Sequence, residues 1–186
     1  LPDFGAAHAT RAQVEIARSP EALHESYLAA KRGEVSDELW CELYFQTPYD
    51  PSVAPPGNHT MSVFAQYAPY ELHPSLGTWE DQREAFGDAV QGAIREYAPD
   101  IDECVLRRQV LSPWDIEQRF GLSEGNIFQG ELLLEQLFAN RPIPGAGYQT
   151  PVGGLYLCGS AAHPGGAISG APGRNAAREV RGTRSG

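Results

Sequence analysis

No apolar run in the sequence approaches the ~18–20 residues that a membrane-crossing helix requires, so the chain is expected to be soluble and without a transmembrane segment. Cations are scarce: 14 Lys and Arg stand against 24 Asp and Glu, a formal net charge of −10, and no Lys/Arg cluster exceeds two residues. That leaves no electrostatic footprint for a phosphate backbone or an anionic lipid surface, and no nucleic acid partner is expected. Cysteine is almost lacking. Cys41, Cys104 and Cys158 are far apart and form no CxxC, which excludes a disulfide framework or a zinc ribbon. They read as small buried residues in a reducing, cytoplasmic compartment. His8, His24, His59, His73 and His163 show no HExxH or paired ligand spacing, so no metal site is expected. Ser160 lies in no G-x-S-x-G nucleophile turn, which leaves a serine hydrolase built on Ser160 and His163 a remote alternative. No internal repeat is visible.

What is present is enough to fold. At 186 residues, 41% hydrophobic and 10% aromatic, the chain can bury a core without disulfides or metals. Ser19-Pro20-Glu21 opens a helix that carries Leu23, Tyr27 and Leu28 and stops at Gly33. Trp40 to Thr47 and Thr60 to Tyr67 read as strands, the second with Met61, Val63, Ala65 and Tyr67 on one face. Pro48, Pro51, Pro55, Pro56 and Gly57 make the connection between them a loop. From Thr78 to Tyr97, Trp79, Phe86, Val90, Ala93, Ile94 and Tyr97 keep helical spacing, with Glu80 and Asp81 in the first turn. A strand over Glu103 to Leu111 and helices over Pro113 to Phe120 and Glu131 to Asn140 are predicted next. A short apolar strand, Leu155 to Cys158, and a terminal helix over Ser169 to Arg181 follow. Strands and helices interleave without a regular βαβ beat, which predicts an α+β fold.

The densest chemistry lies in Gly159 to Gly173, five glycines and two prolines between an apolar strand and a helix start. A strand, a glycine-rich turn and a helix N-terminus leave unpaired backbone N–H groups around one concavity, which suits an anionic or electron-rich ligand. Glycines at 165, 166 and 170 would let a flat ring or a pyrophosphate approach the backbone. The plain alternative is an ordinary loop in which glycine supplies positive φ.

Gly121 to Glu131, Gln136-Leu-Phe, Arg141-Pro, Gly154 to Ser160, His163-Pro-Gly-Gly166 and Gly170 to Ala177 together resemble the C-terminal third of the phytoene-dehydrogenase-like flavoproteins. Asp50 to Gly57 and Gln66 to Tyr70 are similar to the pyridine nucleotide-disulfide oxidoreductase domain-containing branch of that family, a relative of carotenoid desaturases and isomerases. The resemblance implies FAD as cofactor and a small hydrophobic substrate. It implies a substrate-binding portion at 1–150, with a mixed or antiparallel sheet, and a strand–glycine loop–helix at 151–186 that closes a split, Rossmann-type FAD-binding domain. Carried over by position, Gly159 and Ser160 would lie at the ribityl–pyrophosphate part, and His163, Pro164, Gly165, Gly166, Ala167 and Ile168 beside the isoalloxazine, with Gly170 at the helix that follows. That helix would aim its positive end at the N1/C2 edge of the ring. Asn126, Phe128 and Glu131 would lie toward the substrate cavity.

Two departures stand out: Ala161-Ala162 where the family usually has Gly-Thr, and Ser169 where a larger apolar residue is common. The dinucleotide fingerprint G-x-G-x-x-G is absent. With a start at Leu1 and no leader, this leads to the expectation of a fragment whose partner is a missing N-terminal Rossmann half, inactive alone. The expected activity is hydride transfer to flavin, with no catalytic base assigned. A truncated, non-catalytic interaction protein is the competing reading.

Overall fold

The computed structural model describes residues 1–5, 9–131, 133–145, 147–166 and 168–183. It divides into two compact units, Leu1–Asp115 and Ile116–Gly186.

The first unit is built on an antiparallel sheet of three strands, β1 (Val14–Ile16), β2 (Trp40–Phe45) and β3 (Met61–Gln66), in that spatial order. The period-2 pattern of β2 sets the register: Cys41, Leu43 and Phe45 point to one face, opposite Ala65, Val63 and Met61 of β3. Against this face pack Trp79, Phe86 and Ile94 of α2 (Trp79–Arg95), together with Ala98 and Ile101. Leu43 is 0% exposed and Trp79 5%. Each large apolar side chain so buried contributes about 1.5–3 kcal/mol. Trp79 also donates its indole N–H to the Pro69 carbonyl at 3.0 Å, which lets a polar atom enter the core without loss.

Helix starts follow local side-chain chemistry. At α1 (Pro20–Lys31) the Ser19 hydroxyl accepts the Ala22 N–H at 3.1 Å. At α2 the Asp81 carboxylate takes the Thr78 N–H at 3.0 Å and its hydroxyl at 2.8 Å. α4 (Pro113–Phe120) has Ser112 before its proline, and Asp115 accepts from the Ser112 N–H at 2.9 Å and from its hydroxyl at 2.7 Å. Gly33, predicted as a helix stop, is held at φ 77° just beyond α1, and its carbonyl accepts the His73 N–H at 2.8 Å. A Cβ there would stand 2.6 Å from the His73 nitrogen and 2.9 Å from the Glu71 oxygen, so no larger residue fits without backbone movement.

Three sequence-based expectations are corrected. Glu103 to Leu111 is not a strand: α3 (Ile101–Cys104) is a single helical turn, and the residues after it join no ladder. Instead they dress α2, where Arg108 pairs with Glu84 at 2.8 Å and Asp88 at 2.7 Å and Val110 packs on the core. Glu131 to Asn140 is not a continuous helix but two short 3-10 turns, Leu134–Gln136 and Phe138–Asn140. The Gln136 side chain takes the Glu131 N–H at 3.0 Å, and Leu133, Leu134 and Phe138 find no core to bury a helical face against. Leu155 to Cys158 forms one bridge of a short hairpin, Tyr156 opposite Gln149, and not a full strand. Leu155 is exposed there, and without a second neighbour the pairing does not extend. β1 went unpredicted; at three residues it is too short to show a period. The antiparallel sheet with its helices agrees with the α+β expectation. Among the described residues no helix is long and apolar enough to cross a membrane.

Asp102 of α3 is held at about 2 by hydrogen bonds from Arg95, at 2.6 and 2.8 Å, and from Gln91 at 2.7 Å. Because this value lies below the ordinary 3.8, the contribution is complete above about pH 4 and is lost as pH falls toward 2. Asp102→Asn is therefore expected to flatten the decline of thermal stability between those pH values while changing the melting temperature at pH 7 only slightly. Melting curves across an acid pH series test this, and an unaltered acid limb refutes it. The pair is solvent-exposed, which keeps the effect small.

Candidate functional site

The second unit presents the glycine-rich segment between the 148–157 hairpin and α5 (Ala171–Thr183). The helix begins two residues beyond Ser169, the start that the sequence predicts. Ser169 Oγ accepts the Ala171 N–H at 3.2 Å, and Pro172 supplies the fixed φ suited to a first turn. Upstream the loop is folded by its own backbone: the Ala162 N–H donates to the Gly159 carbonyl at 3.0 Å and the Gly165 N–H to the Ala162 carbonyl at 2.8 Å. Ala162 and Gly165 are buried, Ser160 and His163 half-buried, and Gly159, Pro164, Gly166 and Gly170 exposed. Ile168 is 110% exposed, its side chain wholly free of the chain. Ala167 lies outside the described residues.

The glycines divide into two kinds. Gly165 and Gly170 have φ of 98° and 64°, a conformation that L side chains rarely adopt. Gly159 and Gly166 have no such requirement. A Cβ on Gly159 would meet nothing within 4 Å, and one on Gly166 only the Ser160 Cβ at 3.8 Å, an ordinary contact. Nothing in the described chain calls for glycine at these two positions, and both are exposed.

The loop is tied down by residues that the sequence reading did not single out for a role. Arg141, 3% exposed, donates through Nε and Nη2 to the Ser160 carbonyl at 3.2 and 3.1 Å. Its guanidinium also reaches the carbonyls of Phe128 and, at 3.5 Å, Glu131. The Gln129 side chain donates to the Ser160 hydroxyl. From the other side, Asn175 of α5 donates to the Tyr148 hydroxyl at 2.8 Å, which donates to the His163 carbonyl at 2.6 Å. The His163 ring leans on Phe138 with centroids 5.4 Å apart, and its buried Nδ1 has no hydrogen-bond partner among the described residues. Of the residues assigned toward a substrate, Phe128 and Glu131 are thus brought to Ser160 through Arg141. Among the described residues Asn126 bonds only locally, its side chain accepting the Phe128 N–H at 2.9 Å. Arg141 and Asn175 both lie inside family-like motifs, yet long-range pairing leaves no local pattern to read. Among the described residues no three His, Cys, Asp or Glu side chains converge as a metal site would need.

No family model matches the chain. The mouse protein named pyridine nucleotide-disulfide oxidoreductase domain-containing protein 2 is 45% identical to it over 159 residues, 85% of this chain and 27% of the mouse protein. A limonene dehydrogenase subunit of Castellaniella defragrans is 30% identical over 168 residues, 87% of this chain and 30% of the bacterial one. The chain belongs to the phytoene-dehydrogenase-like family. The phytoene desaturase (lycopene-forming) of Pseudescherichia vulneris is a more distant relative, 29% identical over 135 residues that make up 69% of this chain. This family member spans well under half the length of each of these relatives, and their names are those of oxidoreductases.

Proposed function

We propose that the chain is the C-terminal portion of an FAD-dependent oxidoreductase: residues 1–150 contribute to the substrate-binding domain, and 151–186 close over the flavin beside a Rossmann half contributed by further sequence. The observation that carries this reading is the pair of unforced, exposed glycines, Gly159 and Gly166, on a loop that runs into the N-terminus of α5. Such a surface suits a flat ring and its phosphates. The buried, unpartnered His163 Nδ1 supports it further as a polar atom awaiting a partner.

FAD, when bound, supplies the acceptor for a hydride leaving a C–H bond of a hydrophobic substrate. The chain's own residues do the rest. Gly159 and Ser160 would hold the ribityl–pyrophosphate part. His163, Pro164, Gly165, Gly166 and Ile168 would line the ring, with Gly170 leading into the helix whose positive end favours negative charge on it. Exposed Ile168, Phe128 and Leu134 would cover the reacting edge and exclude water once a substrate is seated. Those exposed apolar side chains and the family support a small hydrophobic substrate.

Because no G-x-G-x-x-G occurs here, residues 1–186 alone are expected to bind FAD no more tightly than about 10 μM, roughly −7 kcal/mol. Titration followed by flavin fluorescence measures this, and nanomolar binding would show a self-sufficient site.

A further inference from the structure

Arg141 combines three properties that seldom occur together. It is almost fully buried, its partners are all backbone carbonyls, and among the described residues it enters no ion pair, whereas Arg18, Arg32, Arg83, Arg95 and Arg108 each do. Burial of a guanidinium without a counter-charge is costly, and carbonyl dipoles offset only part of that cost. The arrangement therefore needs a reason, and its neighbours point to one. Three non-glycine residues of this unit, Glu124 at φ 54°, Gln129 at φ 56° and Phe138 at φ 53°, sit in the strained left-handed region, and the last two lie against the site. Both touch the glycine loop, Gln129 through the Ser160 hydroxyl and Phe138 through the His163 ring. Strain and buried charge thus converge on Ser160 and His163.

We propose that Arg141 is the positioning residue of this site: its buried guanidinium clamps the 128–131 segment to the Ser160 carbonyl, fixes the glycine loop, and tunes it toward an anionic ligand. The tuning rests on the flavin reading given above; the clamp does not. A planar fork with five N–H donors spans three carbonyls from two segments at once, which a lysine ammonium on a flexible stem does not reproduce. A positive charge about 3 Å from the Ser160 carbonyl oxygen also makes the loop a better host for negative charge, and because the same loop would run on past the ring at His163 to Gly166, that includes the charge the flavin gains on reduction.

The test compares wild type, Arg141→Lys and Arg141→Gln in the full-length protein. Amide hydrogen exchange is followed in peptides covering 126–131 and 159–166, with β2 and β3 as internal reference. Both variants are expected to exchange at least tenfold faster in the two segments, with the sheet unchanged. Spectroelectrochemical titration of the bound flavin is expected to give a midpoint about 30 mV lower for Arg141→Gln, the equivalent of a tenfold loss of preference for the reduced form. Arg141→Lys, which keeps the charge, is expected to stay near wild type. Unchanged exchange in both segments overturns the clamp. Equal midpoints for the two variants overturn the tuning. If Arg141→Gln does not accumulate, the lysine variant decides both, since a midpoint shifted as far as tenfold despite the retained charge overturns the tuning. Wild-type protein purified with FAD yet carrying none refutes the flavin reading and the tuning with it, and the exchange result still decides the clamp.

Discussion

Gly166→Val in the full-length protein is expected to lower flavin occupancy at least tenfold, a loss of about 1.4 kcal/mol or more in binding. The structure makes this a discriminating substitution. Gly166 has no left-handed φ, and a Cβ on it meets only the Ser160 Cβ at 3.8 Å, so the chain itself tolerates the side chain within about 0.5 kcal/mol. A β-branched residue would, however, occupy the open space in front of the loop, and no rotamer clears both methyls from it. Flavin absorbance per protein after purification gives occupancy, and circular dichroism checks the fold. Glu96→Gln serves as control, since it weakens only an exposed pair with Arg18. Normal occupancy in a folded Gly166→Val protein would remove this loop from the cofactor and favour a non-catalytic interaction role.

Asp115→Ala is expected to destabilise the first unit by about 3 kcal/mol, read as a lower urea midpoint with an unaltered slope. Burial alone would push the Asp115 carboxyl up, but hydrogen bonds from Ser112 and Arg83 outweigh it and hold the group below its ordinary value. Removal of the carboxylate takes away the acceptor of the Ser112 N–H and hydroxyl at the start of α4 and leaves Arg83, which donates to it twice at 2.8 Å, without its partner. The sign with pH follows: a lowered value means the stabilisation is present at neutral pH and fades on acidification below about pH 4. Ser112→Ala should reproduce the cap loss alone, about 1 kcal/mol. A midpoint for Asp115→Ala equal to that of Ser112→Ala would show that the pair with Arg83 contributes nothing.

The elements legible in the sequence were those whose signal is local. Pro20–Lys31, Trp79–Arg95 and Pro113–Phe120 were readable because a capping residue, an acidic first turn or a proline at the first position marks each start. β2 and β3 were readable because both segments are rich in aromatic and β-branched residues, and because Met61, Val63 and Ala65 fall on one face of β3. The misreadings share one cause. Val105 to Leu111 has strand-like composition but its partner is a helix surface, and Leu133 to Phe138 has helix-like spacing but no core to face. At the candidate site the glycine loop and the start of α5 were legible from composition. Arg141, Tyr148 and Asn175 were not, because each acts across 13 to 27 residues of sequence through a carbonyl or a hydroxyl that no motif encodes.

The exposed apolar side chains of residues 116–186 carry a thermodynamic implication. Leu134, Phe138, Ile143 and Ile168 remain in water, while an arginine occupies the interior. A unit so arranged holds little stability in reserve, and whatever covers that surface contributes to its folding free energy as a linked equilibrium. On the flavin reading proposed above, occupancy and order of this segment rise and fall together, and the ligand at the glycine loop acts as a part of its hydrophobic core.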